Sequence, residues 1–255
     1  MSERITIEVW SDVVCPWCYI GKRRLETALD EVGSRDVEVI WRAFQLDPHS
    51  PRPGEPGHGQ GMAEHLGQKY GGGIEAGQQM NEQMTKVAAG EGLDFHLDLV
   101  GTGNTTDAHR LLHLAAVSDA DGTNLQDALK ERLFAAFFTQ GLDTSCTEVL
   151  SKLAIKVGLN ADRVAEVLAT DEFSAEVRTE MAQAQAYGAN GVPFTVVNGT
   201  YGISGAQPAS VFAEAIQRAR ADQVPQLTAV HGDADASACG PDGCAVPETQ
   251  NGSSN

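Results

Sequence analysis

The sequence Cys15-Pro16-Trp17-Cys18 lies between a strand-like run and a helix-like one, and this junction decides the fold. The preceding run, Ile5-Thr6-Ile7-Glu8-Val9-Trp10, alternates β-branched or aromatic residues with polar ones, which predicts a strand. Pro16 suits the first position of a helix, because that position needs no amide hydrogen. Apolar residues then recur at helical spacing as far as Val32. We therefore expect a strand that ends just before the cysteines and a helix that begins at them.

The position of Cys15 predicts a reactive thiol. Unpaired amide hydrogens and the helix dipole favour an anion at a helix N-terminus. Cysteines in such positions have pKa values lowered to roughly 3.5 to 7.5, and the thiolate is the form that attacks disulfides. Cys18 follows one helical turn later, so it can resolve a mixed disulfide or close the pair. A Cys-x-x-Cys sequence beside a strand–helix–strand pattern is typical of thioredoxin-like redox sites.

Zinc binding and a purely structural disulfide are the alternatives for this motif. A zinc site would need two further ligands at workable spacing, and the other close pair, Cys239 and Cys244, is far along the chain in a polar tail. A structural disulfide across two intervening residues would close a loop too short to stabilise the fold much. The motif therefore favours redox chemistry over both alternatives.

Composition and charge limit the classes of protein to which this chain can belong. The chain has 255 residues, of which 42% are hydrophobic, enough for a substantial core. Its formal net charge of -17 argues against nucleic-acid partners, because phosphates would be repelled. Residues 1–4 lead directly into the first strand, without an apolar stretch long enough for a signal peptide or a membrane span. We therefore expect a cytoplasmic globular protein without membrane partners, whose cysteines stay reduced or cycle.

A second strand and a long helical region follow. Residues 37–44 read as a strand, so residues 5–44 predict the strand–helix–strand crossover of a parallel sheet. Residues 45–61 are rich in Pro, Gly and His, which predicts an exposed connection. Apolar residues then recur at spacings of three and four. The predicted helices cover residues 62–70, 74–90, 105–118, 124–139, 146–157, 161–169 and 171–187.

Three residues of the helical region have side chains that could carry chemistry. His109 and His113 stand four apart on one predicted helix, as a metal pair would, but no acidic or sulfur partner has a matching spacing. We therefore predict a half-buried pair of histidines with satisfied hydrogen bonds. Cys146 has no neighbouring thiol and stands at a helix start. We expect it to be a small, partly buried residue, with a regulatory thiol as the alternative.

A β pattern returns after the helices. Residues 192–197 form a strand-like run, Asn198-Gly199 is a strong hairpin signal, and residues 200–203 supply the partner strand. An amphipathic helix is predicted from Pro208 to about Ala221. These elements would complete the sheet that residues 5–44 begin. The predicted fold class is therefore α/β, with a large all-helical segment between the two halves of the sheet.

Several segments together resemble a known family. The early Cys15-Pro16-Trp17-Cys18 with the late Gly191-Val192-Pro193-Phe194 is similar to the DsbA-like branch of the thioredoxin superfamily, in which a helical domain interrupts the thioredoxin fold. Residues 11–18, 108–111 and 202–208 resemble the FrnE-like DsbA oxidoreductases. The resemblance covers residues 5 to about 222. It implies a thioredoxin-like domain built from residues 1–45 and 188–222, a helical insertion of residues 46–187, and a polar tail of residues 223–255.

The resemblance also implies roles for single residues. In this family the proline that matches Pro193 is cis and packs against the reactive pair, and the preceding residue, here Val192, offers backbone groups to an extended substrate peptide. Such binding is strand addition. The alternative is that Pro193 is only a strand-edge proline. Pro16 and Trp17 would tune the thiolate and the reduction potential. Trp17 replaces the His of periplasmic members, so their strongly oxidising character is not implied.

The polar tail contains a second cysteine pair. Cys239-Gly240-Pro241-Asp242-Gly243-Cys244 places two thiols on either side of a Pro-Asp-Gly turn, so the two sulfurs could meet. Some FrnE-like proteins have such a pair, which would relay electrons to or from Cys15 and Cys18. The alternative is a local disulfide that pins the tail.

Two classes of function follow. The first is a thiol-disulfide oxidoreductase or isomerase that acts on protein clients, with glutathione as a candidate redox partner and with no bound cofactor or metal. The second is a glutathione-dependent transferase or isomerase, because kappa-class transferases and chromene-carboxylate isomerases share the interrupted fold. Those enzymes usually have Ser at the position of Cys15 and do not need Cys18. The two thiols therefore favour the first class.

Overall fold

Four strands form one sheet: β1 (Ile5–Ser11), β2 (Val37–Ala43), β3 (Phe194–Val197) and β4 (Tyr201–Ser204). Their order across the sheet is β2–β1–β3–β4. This computed structural model describes residues 4–119 and 122–223, and the backbone of residues 239–240 and 243–244. The short strands near the C-terminus belong to a separate unit, residues 224–255.

Strand β1 is central to the sheet and determines its topology. It pairs in parallel with β2 and antiparallel with β3, so that Ile7 lies between Val39 and Val197. Ile5 and Ile7 are fully buried, as expected for β-branched residues on the inner face of a central strand. The predicted strand–helix–strand crossover is therefore confirmed.

Helices form the crossover and most of the long segment between β2 and β3, and one more follows β4. In chain order they are α1 (Pro16–Val32), α2 (Met62–Tyr70), α3 (Gly73–Gly90), α4 (Thr106–Ser118), α5 (Leu125–Phe134), α6 (Thr147–Lys156), α7 (Ala161–Ala169), α8 (Ser174–Ala186) and α9 (Ala209–Asp222).

Of the four apolar clusters in the described residues, two hold most of these helices in place. Helices α1 and α9 pack against β1, where Leu25, Phe212 and Ile216 form a core with the strand isoleucines. A second cluster joins α4, α5, α6 and α7 through residues such as Leu111 and Leu133. Each fully buried side chain of this size contributes about 1.5–3 kcal/mol. The periodicity that predicted the helices thus corresponds to the faces that they bury.

Two helix boundaries differ from the prediction by more than one residue. The helix predicted over residues 124–139 ends as an α-helix at Phe134 and continues as a π-helical turn, Ala135–Thr139. Helix α8 begins at Ser174 instead of residue 171, because the Ser174 amide donates to the Asp171 carbonyl in a turn and Phe173 has a φ of 66°. Apolar spacing does not distinguish such turns from the helix that continues them.

Helices α2 and α3 form a tight hairpin. A Cβ atom at Gly67 would lie 2.0 Å from the carbonyl oxygen of Gly73, and one at Gly77 would lie 1.8 Å from that of Ala63. Both distances are far below contact, so only glycine permits this approach of the two backbones.

The β3–β4 connection confirms the predicted hairpin. Asn198 and Gly199 have φ values of 50° and 66°. Positive φ at both central residues is the requirement of a type I′ turn, which explains why the Asn-Gly sequence predicts it. In residues 4–119 and 122–223, no helix has the length and apolar character needed to cross a membrane.

Candidate active site

Cys15 caps the N-terminus of α1. Its backbone is extended, with φ −90° and ψ 114°, and Pro16 occupies the first turn of the helix. The Cys18 amide donates to the Cys15 carbonyl at 3.0 Å, and the Cys15 amide donates to the Asp12 carbonyl at 3.2 Å. The helix therefore begins at the cysteine pair, as the sequence predicts.

The motif buries its cysteines and exposes its tryptophan. Cys15 is 4% exposed and Cys18 is 1% exposed, whereas Trp17 is 40% exposed. Both cysteines pack in an apolar cluster with Tyr19 and Phe134. Cys15 and Trp17 nevertheless both border the open space beside the motif.

Val192 and Pro193 lie beside the pair, although they are distant in sequence. The sulfur of Cys15 is 3.6 Å from the carbonyl oxygen of Val192, and the Val192–Pro193 peptide bond is cis. A Cβ atom built at Gly21 would lie 3.1 Å from Cγ of Pro193, so this proline packs closely on α1. The Pro193 carbonyl accepts a hydrogen bond from the Gly205 amide at 2.8 Å. The cysteine pair, Val192 and Pro193 thus form one constellation.

A cavity of about 580 Å³ opens next to Cys15. Volumes of this size accommodate a small ligand or the side chains of a bound peptide. Pro16, Trp17 and Val192 line it together with Cys15. The opposite wall comes from the α2–α3 hairpin and its surroundings, and is mostly apolar: Leu46, Met62, Leu66, Met80, Met84, Val87, Leu97, Phe137 and Phe138.

The environment of Cys18 disfavours its thiolate. Burial raises the pKa of Cys18 well above its ordinary value, and the neighbouring Cys15 adds to the effect. The charge of Lys130 and the amide of Asp12 act in the opposite direction but do not outweigh it. In the reduced protein at neutral pH, Cys18 is therefore a thiol that must lose its proton before it can attack.

Asp12 and Lys130 are residues of the site that the sequence reasoning missed. Asp12 is 1% exposed, lines the cavity, and accepts a hydrogen bond from the Leu46 amide at 2.8 Å. Lys130 is fully buried, and this burial lowers its pKa to about 8. One signal was present: Lys130 occupies the same face of α5 as Leu133 and Phe134, a face that otherwise carries apolar residues.

The half-burial predicted for the two histidines is confirmed only for His113, whose Nε2, like both ring nitrogens of His109, has no hydrogen-bond partner in the described structure. His113 lies 3.1 Å from a carboxylate oxygen of Glu180, and its side chain is 15% exposed. His109 is 1% exposed, not half-buried, because it faces the buried Asp12 at the end of β1. Its Nε2 is 3.5 Å from Oδ1 of Asp12, too long for a good hydrogen bond, so the predicted satisfaction is wrong for His109. Within the described ranges, no three His, Cys, Asp or Glu side chains are arranged to hold a metal ion.

The remaining cysteines lie outside this constellation or in the separate unit. Cys146 is partly buried, as predicted, and its thiol donates to Glu148 at 2.9 Å. Strands β5 (Cys239–Gly240) and β6 (Gly243–Cys244) pair antiparallel, with Cys239 opposite Cys244. This backbone register agrees with a chain that folds back between them. The side chains of this predicted redox pair lie outside the described part of the protein.

Comparisons with known proteins agree with this geometry. A model of the DSBA-like thioredoxin domain matches residues 6–217. The crystal structure of the probable DsbA oxidoreductase SCO1869 from Streptomyces coelicolor has 40% sequence identity and a TM-score of 0.78, and the match covers 96% of this chain and all of that one.

Two more distant structures share the fold. The cytosolic disulfide reductase DsbM from Pseudomonas aeruginosa, solved with GSH, has 16% identity and a TM-score of 0.55 over 85% of this chain and 96% of that chain. A 2-hydroxychromene-2-carboxylate isomerase has 12% identity and a TM-score of 0.59 over 84% of this chain and 95% of that chain. These likenesses confirm the predicted fold class.

Proposed function

Since this chain belongs to the DSBA-like thioredoxin-domain family of thiol-disulfide oxidoreductases, we propose that Cys15 and Cys18 are its redox pair and that proteins with disulfides or thiols are its substrates. The observation that carries the proposal is the meeting of three features at one point. Cys15 begins a helix, Cys18 lies one turn away, and the Val192 carbonyl oxygen is 3.6 Å from the Cys15 sulfur.

The exchange proceeds in two steps, in each of which one disulfide bond forms and one breaks. The Cys15 thiolate, favoured by the N-terminus of α1, attacks one sulfur of a client disulfide; a Cys15–client mixed disulfide forms and the other client sulfur leaves as a thiolate. Cys18 then loses its proton and attacks the Cys15 sulfur. The Cys15–Cys18 disulfide forms, the second client thiolate leaves, and the client has gained the two electrons that the enzyme has lost. Run in reverse, the same steps oxidise client thiols.

Client recognition uses the backbone at Val192 and the cavity beside it. An extended peptide bound along Val192 and Pro193 would place its sulfur at Cys15 with little demand on its sequence. An apolar client side chain next to that sulfur would enter the cavity lined by Met80 and Met84. Such a site selects segments that combine a cysteine with exposed apolar residues, as incompletely folded proteins do.

Pro16 and Trp17 adjust the pair without taking part in the exchange. Pro16 fixes the first turn of α1, so the amides behind Cys15 keep their direction. Trp17 is partly exposed at the edge of the cavity and contacts both solvent and bound clients. These two residues set the stability of the thiolate, and with it the reduction potential of the pair.

The subgroup, the cellular compartment and the redox partner of the protein are also part of this proposal. We place the protein in the FrnE-like subgroup on the motifs at residues 11–18, 108–111 and 202–208, with the interrupted thioredoxin-like organisation that those motifs imply. We place its reaction in the cytoplasm, with glutathione as electron donor or acceptor. The description of DsbM as cytosolic, and its structure with GSH, support that choice.

The second pair, Cys239 and Cys244, is proposed as an accessory redox pair. Its cysteines stand opposite each other in the β5–β6 backbone register. Changing both to Ser distinguishes an electron relay from a disulfide that only stabilises the tail, called a clip here. A relay loses turnover with little change in melting temperature, whereas a clip lowers the melting temperature and leaves turnover unchanged.

The proposal as a whole is tested by insulin reduction and by reactivation of reduced ribonuclease. We expect Cys15→Ser to abolish both activities and Cys18→Ser to leave at most a slow exchange that accumulates mixed disulfides. Cys146→Ser is the matched control, because Cys146 lies outside the constellation. If Cys15→Ser keeps both activities, the assigned nucleophile is wrong.

A second candidate is a glutathione-dependent transferase or isomerase. The size of the cavity next to Cys15 favours it, because a small ligand would fit there. The Cys18→Ser variant distinguishes the two candidate functions. A transferase or isomerase keeps its activity in this variant, whereas a dithiol oxidoreductase loses it.

A further inference from the structure

A buried polar cluster lies behind the cysteine pair. Its members are Ser11 at the end of β1, Asp12 in the next loop, His109 on α4 and Lys130 on α5. Ser11 and Lys130 are fully buried, and Asp12 and His109 are each 1% exposed. Buried polar groups normally have hydrogen-bond partners, yet the Ser11 hydroxyl, one Asp12 oxygen and both His109 ring nitrogens have none in the described structure.

Lys130 is the most unusual member of this cluster. Its Nζ makes a single long hydrogen bond of 3.4 Å to the Ser11 carbonyl, although an ammonium group can donate three. Two aromatic rings also lie close to it, with Nζ 4.9 Å from the ring centre of Phe134 and 5.7 Å from that of Trp41. A full positive charge is poorly compensated there, so the site also accommodates the neutral amine.

Two chain segments connect Lys130 to the cysteines. Ser11 and Asp12 join β1 to the motif, and the Asp12 carbonyl accepts the Cys15 amide. Phe134, one turn after Lys130 on α5, packs in the same apolar cluster as Cys15 and Cys18. The Lys130 amine is thus fully buried and near enough to the cysteine pair for the charges of both sulfurs to act on it.

Charged groups from several elements face this region. Cys18 and Cys15 on α1, Asp12 in the loop and Glu180 on α8 each favour the charged form of Lys130, but burial outweighs them. The charge of Lys130 also acts on His109 on α4. Burial is the main cause of the lowered pKa of His109, and the charge of Lys130 lowers that pKa further.

The charge of Glu180 is compensated by neighbouring residues other than Lys130. Its carboxylate accepts hydrogen bonds from Arg42 at 2.8 Å and from the Ala43 amide at 2.6 Å, and it lies 3.1 Å from His113. Cys18, as a buried thiol, and Lys130, whose pKa is lowered to about 8, are therefore the donor and the acceptor between which a proton can pass in this region.

We propose that Lys130 receives the proton that Cys18 gives up when it resolves the mixed disulfide. The inference rests on the proposed redox function of the pair. In the molecules that react, Lys130 is a neutral amine and Cys18 is a thiol, and the share of such molecules rises as the pH approaches 8. The proton moves from the Cys18 sulfur to Nζ, the Cys18 thiolate attacks the Cys15 sulfur, and the client thiolate leaves. Lys130 returns the proton when client thiols are next oxidised or when the pair is reduced.

Asp12 and His109 have positioning roles. Asp12 fixes the loop between β1 and α1 through the Leu46 amide and the Cys15 amide, and its carboxylate faces Lys130 and His109. When Lys130 gains a proton, the Asp12 carboxylate compensates part of the new charge. A buried ammonium ion would otherwise be costly at this site.

The test follows the two steps separately with dithiobis(nitrobenzoate). One coloured thiolate is released when Cys15 attacks the reagent, and a second when Cys18 resolves the mixed disulfide. Cys146, Cys239 and Cys244 are changed to Ser so that the signal comes from the pair alone. In this background we expect the rate of the second phase to rise with pH around a midpoint near 8, where Lys130 loses its proton.

Lys130→Met is the critical variant, and Lys86→Met, on the exposed side of α3, is the matched control. We expect Lys130→Met to keep the first phase, to slow the second phase about tenfold at neutral pH, and to move its midpoint up by about one pH unit. A purely structural role would change melting and not the midpoint. An unchanged second-phase profile in a folded Lys130→Met overturns the proposal.

If Lys130→Met does not fold, the pH dependence of the second-phase rate in the protein that retains Lys130 tests the proposal. A second-phase midpoint above about pH 9, typical of an unassisted buried thiol, overturns the role of Lys130 without any variant. Failure of the redox function itself gives a different result, because Cys15→Ser would then keep its insulin-reducing activity whatever the second-phase profile shows.

Discussion

The sulfur of Cys15 and the carbonyl oxygen of Val192 lie 3.6 Å apart, although 177 positions separate them in the sequence. One belongs to the N-terminus of α1 and the other to the loop before β3. The antiparallel pairing of β1 with β3, which places Trp10 opposite Phe194, brings these two loops to the same edge of the sheet. The candidate site is therefore a product of sheet topology.

The close packing of Pro193 on α1 predicts that Gly21 controls the geometry of the site. A Cβ atom there would already lie 3.1 Å from Pro193, so the branched side chain of Gly21→Val must push the proline away. We expect kcat/KM for a peptide disulfide to fall about tenfold or more, because displacements near 1 Å are costly in aligned reactions. Gly90→Val is the control, since nothing lies within 4 Å of its Cβ position. Equal activity of the two variants would show that the position of Pro193 does not matter.

The apolar wall of the cavity predicts a preference for apolar clients. Met80 lines the cavity and is 36% exposed, so Met80→Lys places a charge there without disturbing the core. We expect KM to rise about tenfold for a peptide with an apolar residue next to its disulfide, with little change for hydroxyethyl disulfide. Ile155→Lys, at an exposed position away from the cavity, provides the comparison. A KM that is the same for both variants and both substrates would contradict this role of the cavity.

Arg110 is predicted to stabilise the helical region. It is buried and donates to the Glu172 carbonyl at 2.7 Å, the Thr170 carbonyl at 2.6 Å and Asp107 at 2.8 Å. Arg110→Met leaves these buried acceptors without a donor, which we expect to lower the free energy of unfolding by about 3 kcal/mol in urea titrations.

A surface arginine provides the comparison for Arg110. Arg218 is exposed and forms an ion pair with Glu214 on its own helix. Arg218→Met should unfold at nearly the wild-type urea concentration. Similar losses in both variants would refute the structural role of Arg110.

Lys130 predicts how stability depends on pH. Its pKa falls from 10.5 to about 8 on folding because of burial. Between these values the unfolded chain holds the proton and the folded protein does not, so stability rises with pH across this window. We expect the unfolding free energy of the reduced protein to gain about 1 kcal/mol per pH unit relative to Lys130→Met from pH 8 to 10. Parallel pH curves for the two proteins would exclude a lowered pKa at Lys130.

The local parts of the fold could be predicted from the sequence because each has a local cause. Pro16 suits the first turn of α1, and Asn198-Gly199 permits the two positive φ values of the β3–β4 turn. The helices followed from apolar spacing. The π-helical turn after Phe134 could not be predicted, because no spacing distinguishes it from the α-helix that it continues.

The candidate site was predictable only in part. Cys15 and Cys18 stand together in the sequence, whereas the place of Val192 beside them came from a family resemblance. Lys130 was missed because lysine is almost never buried without a partner, so a sequence interpretation assigns it to the surface. His109 was placed at half burial because its partner Asp12 comes from an element that spacing alone cannot bring near.

The most direct measurement is a map of where a client attaches when resolution is blocked. Cys18→Ser should be incubated with a peptide disulfide, quenched with acid, and digested for mass spectrometry. The account predicts one mixed disulfide, between the peptide and Cys15. A peptide attached to Cys146 instead, or no covalent product at all, would contradict it.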